Sequence, residues 1–190
     1  MVLVMLFCMR LSYERSAVQL LKNGVAVAIE ALSWMELKNL SERAAVRRTL
    51  EQFGLRDVLA LRMGHMIVVE TMRRLNALDE VAKSHLGEDS YNNLTLGVKN
   101  FIRIFIYWVI YRGAPFDEVV ALTRCGREVL GWREMLPVEF TLGKILAARQ
   151  EKPRIQQHEM KRVSLETFHP TWFVEYCYRV FGRQMALLLL

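Results

Sequence analysis

Residues 97–112 form the segment that most limits how this chain can fold. Its apolar residues recur at helical spacing and cover most of the helical circumference, although Arg103 interrupts them. A helix that is apolar on nearly every side has to be enclosed by other protein or by lipid. The apolar run 101–111 is far shorter than the ~20 residues that span a bilayer. The segment therefore predicts the central helix of a bundle.

Helical periodicity also dominates the rest of the chain, and the alternation typical of strands is nearly absent. Ser41 and Gly54 stand where residues that begin and end a helix are expected, and Asn23-Gly24 predicts a break inside the first helical stretch. The predicted helices are 12–40 with that break, 42–53, 57–74, 79–86, 97–112, 115–131 and 138–150. A loop is predicted at 87–93. We expect one all-α bundle within residues 1–150.

The helix predicted at 57–74 has an apolar stripe at helical spacing, and this stripe is expected to face the core. His65 lies on this stripe, so we expect its side chain to lie in the core or at the boundary of the core. The stripe consists of Val58, Leu61, Val68, Met72 and Leu75.

The composition changes at residue 151, where the polar stretch 151–162 with Pro153 predicts a linker. Apolar periodicity resumes over 163–190, with Pro170 opening a helix that ends before Gly182. The apolar residues 1–9 have no positively charged stretch before them and no cleavage site after them, so a signal peptide is not expected. We expect a soluble, cytoplasmic protein that does not enter a membrane.

The chain carries a formal net charge of +6, and most of its 26 basic residues are arginine. Arginine binds phosphate through a planar fork of donors, which favours a nucleic acid as partner. The alternative is a solvated basic surface with cations at helix ends. The candidate RNA contacts are Arg43, Arg47, Arg48, Arg73, Arg74, Arg124, Arg127, Lys152 and Arg154.

Several kinds of catalytic or cofactor site are excluded by spacing. No two of the ten glycines form a G-x-G arrangement, so a glycine loop for a dinucleotide or S-adenosylmethionine is not expected. The four histidines are far apart, and no cysteine lies at ligand spacing from one, so no metal site is predicted. Cys125 is flanked by Arg124 and Arg127, whose charges could stabilise a reactive thiolate. Adjacent residues of a helix point in different directions, however, so we expect a structural thiol.

Two stretches of the bundle contain short sequence motifs. The stretch 43–79 contains Val-Glu-Thr-Met-Arg-Arg-Leu-Asn at 69–76, and 96–120 contains Ala-Pro-Phe-Asp-Glu-Val-Val at 114–120. Farther on, His-Pro-Thr-Trp-Phe-Val occupies 169–174. In this order the strings resemble the NusB-like RNA-binding domain fused to Sun/Fmu-type RNA cytosine-5-methyltransferases of archaea.

The resemblance implies a NusB-like domain over 1–150, a linker over 151–162, and the start of a methyltransferase module over 163–190 whose catalytic part is absent. It implies structured RNA as partner, with ribosomal RNA as the main candidate and transfer RNA as the alternative. It also implies S-adenosylmethionine as cofactor of the full-length parent. The chain itself would hold no cofactor and catalyse nothing, since the family's Pro-Cys and Thr-Cys cysteines are missing. Residues 1–42 match the family weakly, and Leu-Gly-Lys-Ile-Leu at 142–146 replaces its usual string.

Two other functions remain open from the sequence. NusB-like domains also act as partners in transcription antitermination complexes, so the chain could be a stand-alone protein-interaction module. It could also be a purely structural, self-associating bundle. The apolar residues at 1–9 and 186–190 are consistent with docking faces in either case.

Overall fold

The computed structural model describes the backbone of residues 2–150 and 159–190, and the side chains of 16–149 and 159–190. All secondary structure in these ranges is helical, which confirms the all-α prediction. The helices are α1 (Val2–Lys38), α2 (Glu42–Phe53), α3 (Val58–Arg73), α4 (Leu75–Leu86), α5 (Glu88–Asn92), α6 (Leu96–Ile106), α7 (Phe116–Leu130), α8 (Trp132–Ala147), α9 (Glu159–Thr167) and α10 (Thr171–Leu189).

Helix α6 lies at the centre of the bundle, as its apolar circumference predicts. Phe101 and Phe105 are fully buried, and α1, α4, α7 and α8 pack around the helix. It continues into a π-helical turn, Tyr107–Tyr111, in which the backbone N–H of Arg112 donates to the carbonyl of Tyr107 at 2.9 Å. The wider turn keeps this aromatic run packed against the core before the chain leaves the helix.

The arginine that interrupts the apolar surface of α6 is buried and contacts polar partners on several sides. The side chain of Arg103 contacts the carboxylates of Asp79 and Glu36 and donates to Asn100 Oδ1 at 2.7 Å. The hydroxyl of Tyr91 donates to Asp79 Oδ1 at 2.5 Å. A buried guanidinium is tolerated when its charge and its donors are both satisfied, as they are here.

Helix α1 is a single helix, so the predicted break at Asn23-Gly24 is wrong. Gly24 is buried inside the helix and faces α3. A Cβ atom at this position would lie 2.8 Å from Met63 Cγ, closer than real Cβ contacts allow. The glycine therefore lets α3 approach the backbone of α1, and it does not end the helix.

The buried face of α3 also differs from the predicted stripe. Val68 is buried as expected, but Val58 and Met72 are exposed. His65 is exposed as well and bonds through Nε2 to Glu42 of α2, so it is not a core histidine. Small residues let α3 lie close to α1, and they decide which face turns inward. The buried residues of α3 are Ala60, Gly64, Ile67, Val68 and Thr71.

Two helices begin earlier than predicted. Helix α4 starts at Leu75, and α8 starts at Trp132 with Pro137 inside it. Met135 and Val138 are buried on either side of Pro137, which is itself exposed. Because the proline faces solvent, water can solvate the carbonyl that loses its donor, and core packing carries the helix through. The loop predicted at 87–93 contains the short helix α5.

The C-terminal helices form an arm that lies against α4. Helix α9 begins at Glu159, inside the stretch predicted as a linker, and Lys161 Nζ lies 3.0 Å from Glu80 Oε2 of α4. Helix α10 bends at Gly182, where φ is 72°, which confirms the predicted helix end. No helix in the described part of the chain is long and apolar enough to cross a membrane.

Candidate nucleic-acid interface

Helix α2 presents three of the predicted RNA-contact residues to solvent. The helix has the predicted bounds, with Ser41 at its N-cap and Gly54 at its C-cap. Its inner face packs against α1 and α3. Arg43, Arg47 and Arg48 are all exposed, and none of them has a carboxylate partner within the described residues. The three guanidinium groups are therefore available to an anionic ligand.

Arg48 is oriented by an aromatic ring of α1. Its guanidinium carbon lies 3.9 Å from the ring centroid of Trp34, a cation–π distance. The indole N–H of Trp34 donates to Gln52 Oε1 of α2 at 3.1 Å, which fixes the ring. Stacking occupies the face of the guanidinium, while its N–H groups lie in the guanidinium plane and can still make bidentate contacts with phosphate.

Arg73 and Arg74, at the end of α3, have different surroundings. Arg73 is exposed and lies 3.1 Å from Glu70. Arg74 lies 2.5 Å from the same carboxylate, with 22% of its side chain exposed. Aromatic rings surround its guanidinium. A phosphate would compete with Glu70 at both residues, but Arg73 is the more accessible, with 68% of its side chain exposed.

The remaining candidates lie on α7 and in the stretch after α8. Arg124 is exposed, and Arg127 is exposed but donates through Nε to Glu139 Oε1 at 2.5 Å. This hydrogen bond and the carboxylate charge raise the pKa of the Arg127 guanidinium. Lys152 and Arg154 fall outside the described residues. The role of these residues in RNA binding stays a prediction.

Helix α8 carries an exposed aromatic surface that the sequence reasoning missed. Trp132, Leu136 and Phe140 are four residues apart and 61%, 57% and 75% exposed. The guanidinium of Arg133 lies 5.8 Å from the Trp132 ring, and Lys144 Nζ lies 4.6 Å from the Phe140 ring. We call these five residues the α8 platform.

The signal for the platform is present in the sequence as aromatic and aliphatic residues at i, i+4 and i+8. The helix predicted at 138–150 leaves Trp132 outside it and so separates Trp132 from Phe140. The acidic neighbours of the platform are engaged elsewhere: Glu134 accepts from Thr95 at 3.1 Å, and Glu139 pairs with Arg127. The two platform cations have no carboxylate partner in the described part of the chain.

The thiol of Cys125 is structural, as expected. It is buried, and burial followed by the charge of Glu128 raises its pKa to about 11. A neutral, enclosed thiol at neutral pH is a poor nucleophile. Within the described residues, no group of three or more His, Cys, Asp or Glu side chains is arranged to hold a metal ion.

No family model and no curated protein matches the chain. Solved structures do match. The chain PH0851 is 17% identical with a TM-score of 0.66 over 85% of this chain, and the match covers 36% of PH0851. This chain therefore spans about a third of the length of that protein.

Two further structures match about two thirds of the chain. One is the crystal structure of the antitermination factors NusB and NusE in complex with double-stranded RNA, at 16% identity and a TM-score of 0.59, covering 68% of this chain and 98% of that one. The other is the crystal structure of a plectonemic RNA supercoil, also 16% identical with a TM-score of 0.59, covering 67% and 94%. At these identities the likeness concerns the fold, and this chain has a NusB-like, all-helical fold.

Proposed function

We propose that this chain binds structured RNA, with ribosomal RNA as the main candidate. We propose that it holds this RNA in place for an S-adenosylmethionine-dependent RNA cytosine-5-methyltransferase module. Three features support RNA as the ligand. The fold is NusB-like, and two matched structures contain RNA. Helix α2 presents three arginines without carboxylate partners in the described structure. Helix α8 presents exposed rings beside cations.

The α8 platform is the observation that carries this proposal. A solvated basic surface would account for exposed arginines, but it does not account for a tryptophan and a phenylalanine that are mostly outside the core. Unpaired bases stack on such rings, and the adjacent cations are placed to contact the phosphates of the same strand. Arg133 and Lys144 thus favour a nucleic acid over an apolar peptide as the occupant.

The arginines of α2 supply a second kind of contact. A helical bundle reads RNA chiefly through its shape, its 2′-hydroxyls and its phosphates. Each phosphate neutralised by Arg43, Arg47 or Arg48 releases counterions, so the affinity depends steeply on salt concentration. We expect modest affinity and little sequence preference from this surface.

The association with a methyltransferase is supported by α10. Trp172, Tyr176 and Val180 are four residues apart and all exposed, so the arm carries an apolar row suited to contact with another folded unit. The chain has no G-x-G sequence that could form a glycine loop for S-adenosylmethionine. The cofactor would therefore belong to the associated module.

A second candidate function is a protein-interaction module of an antitermination complex. The same apolar row on α10 favours it, because such a row fits a protein partner without requiring RNA. The reading frame adjoining Leu190 distinguishes the two functions. An adjoining module with a G-x-G loop and a Pro-Cys motif would support the methyltransferase, and a stop codon would support the interaction module.

RNA binding is tested with the double variant Trp132→Ala/Phe140→Ala. The probes are an RNA hairpin with an unpaired loop and a duplex of the same stem, titrated by fluorescence anisotropy. Base stacking contributes ~1–3 kcal/mol per base, so affinity for the hairpin should fall by roughly tenfold or more. Binding to the duplex should change less, since its bases are not available for stacking.

The matched control is Trp172→Ala, which removes an equally exposed ring from α10. It should leave hairpin binding unchanged. A folded double variant that binds the hairpin as the parent does would remove the platform from the proposed interface. A parent chain that binds neither RNA would refute RNA binding itself.

A further inference from the structure

One amide side chain of the bundle contacts the α9–α10 arm at two places. The Nδ2 group of Asn76, near the start of α4, has two N–H donors and lies within hydrogen-bonding distance of three oxygens of the arm: the carbonyl of Ser164 at 3.1 Å, the hydroxyl of Ser164 at 3.3 Å, and the carbonyl of His169 at 3.1 Å. Its Oδ1 atom accepts from the N–H of Ala77 at 2.8 Å, which sets the orientation of the amide. Asn76 thus contacts both α9 and the turn before α10.

A second attachment lies beside the first. The guanidinium carbon of Arg74 is 5.2 Å from the ring centroid of Phe168 on the arm, and 5.5 and 5.7 Å from those of Tyr107 and Tyr111 on the bundle. Tyr111 and Phe168 contact each other edge to face at 5.6 Å. Glu70 holds the guanidinium at 2.5 Å. The cation is therefore enclosed by rings from both parts of the chain.

The turn between α9 and α10 is held in a strained conformation. Phe168 has φ of 61°, the left-handed region that residues with a Cβ seldom adopt. The hydroxyl of Ser164 donates to the carbonyl of His169 at 2.6 Å across the turn. Such a conformation persists when surrounding contacts hold it, and the contacts with Asn76 and Arg74 do so here.

We propose that Asn76 and Arg74 are positioning residues that hold the arm and the bundle as one body. The apolar row of α10 is thereby kept at a fixed orientation to the α2 and α8 surfaces. The inference rests on the proposed function: RNA on the bundle is held at a constant distance from whatever folded unit covers α10.

The test is a distance measurement within the 190-residue chain. Nitroxide labels at Glu51→Cys on α2 and Glu175→Cys on α10, both exposed positions, are measured by pulsed electron paramagnetic resonance. The native thiols are first removed by Cys8→Ser, Cys125→Ala and Cys177→Ala. This background should give a single narrow distance distribution.

The decisive variant is Asn76→Asp, which keeps the size of the side chain but replaces the donor by a carboxylate facing two carbonyls. We expect loss of the single narrow distance peak, unchanged helix content by circular dichroism, and unchanged RNA affinity. Asn93→Asp is the matched control, since Asn93 is exposed on the bundle, and it should keep the narrow peak.

If Asn76→Asp unfolds, Phe168→Asn replaces it, because asparagine tolerates the left-handed conformation while removing the ring that contacts Arg74. It should also broaden the distribution. A narrow, unshifted peak in the folded variant, or a broad distribution in the background chain, would overturn the proposal. The outcome is independent of RNA binding, so failure of one proposal does not decide the other.

Discussion

Arg103 and Asp79 form a two-point ion pair inside the bundle: Nε donates to Oδ1 at 2.6 Å and Nη2 donates to Oδ2 at 3.0 Å. The pair joins α6 to α4. Burial lowers the pKa of Arg103, but the hydrogen bond and charge of Asp79 outweigh burial and hold it above its usual value. The guanidinium therefore stays charged throughout the pH range in which the protein folds, and it depends on its carboxylate partners.

Asp79→Asn should destabilise the protein, because it leaves a buried cation with Glu36 as its remaining carboxylate. Removing one partner of a buried pair costs about 3–5 kcal/mol, and chemical denaturation measures this loss. Glu118→Gln is the control: Glu118 pairs with Arg112 at the surface, where the change should stay below about 1 kcal/mol. Equal small losses in both variants would show that the buried pair contributes no more than an exposed one.

Gly64→Ala tests the close approach of α3 to α1. A Cβ atom there would lie 2.7 Å from Val27 Cγ1 and 3.0 Å from the carbonyl oxygen of Gly24. The oxygen belongs to the backbone of a helix and cannot move without it, so we expect a loss of about 1–3 kcal/mol in unfolding free energy. Thermal or chemical denaturation measures the change.

Gly143→Ala is the comparison with Gly64→Ala, made at an exposed position of a helix. Gly143 lies inside α8, and a Cβ atom there meets nothing within 4 Å. Alanine should stabilise this position by about 0.5–1 kcal/mol, since it restricts the unfolded chain. If Gly64→Ala also stabilises the protein, helix propensity rather than packing decides the effect at Gly64.

Changing Arg43, Arg47 and Arg48 together to Glu tests the α2 surface. Exposed substitutions usually change stability by less than ~0.5 kcal/mol each, so the fold should survive. RNA binding at low salt should weaken, and the slope of log affinity against log salt should become shallower by roughly 0.9 per lost duplex phosphate contact. A series of anisotropy titrations at increasing salt gives both quantities.

Unchanged RNA binding by the triple variant would show that the RNA interface lies elsewhere on the protein. If the triple variant is folded and binds ribosomal RNA as the parent does, the α2 arginines form a solvated surface. The phosphate contacts would then be sought near Arg124, Arg127 and the basic residues that follow α8.

Most helices of this protein follow from the sequence, because a helix depends on residues that are near in the chain. The near-continuous apolar circumference of α6 predicts its place at the centre, and Gly54 and Gly131 end the helices that precede them. The errors arose where one residue type has two uses. Asn23-Gly24 predicts a helix break, although Gly24 permits close packing inside α1. The helix predicted at 138–150 begins too late, because α8 continues through the exposed Pro137.

The segments 69–76 and 169–174 both resemble one family, and they lie far apart in the sequence. Their sequence alone does not show that Asn76 of the first donates to the carbonyl of His169 in the second.

The sequence by itself determined an all-helical chain, its central helix and a basic, arginine-rich surface, since local periodicity and composition carry that information. Only the tertiary structure decided that Gly64 packs against Gly24 and that Arg103 forms an ion pair with Asp79. It also decided that the rings of Trp132 and Phe140 are exposed to solvent. These relationships depend on how helices distant in the chain are placed against one another. That placement is set by the packing of all the side chains together, which no single segment encodes.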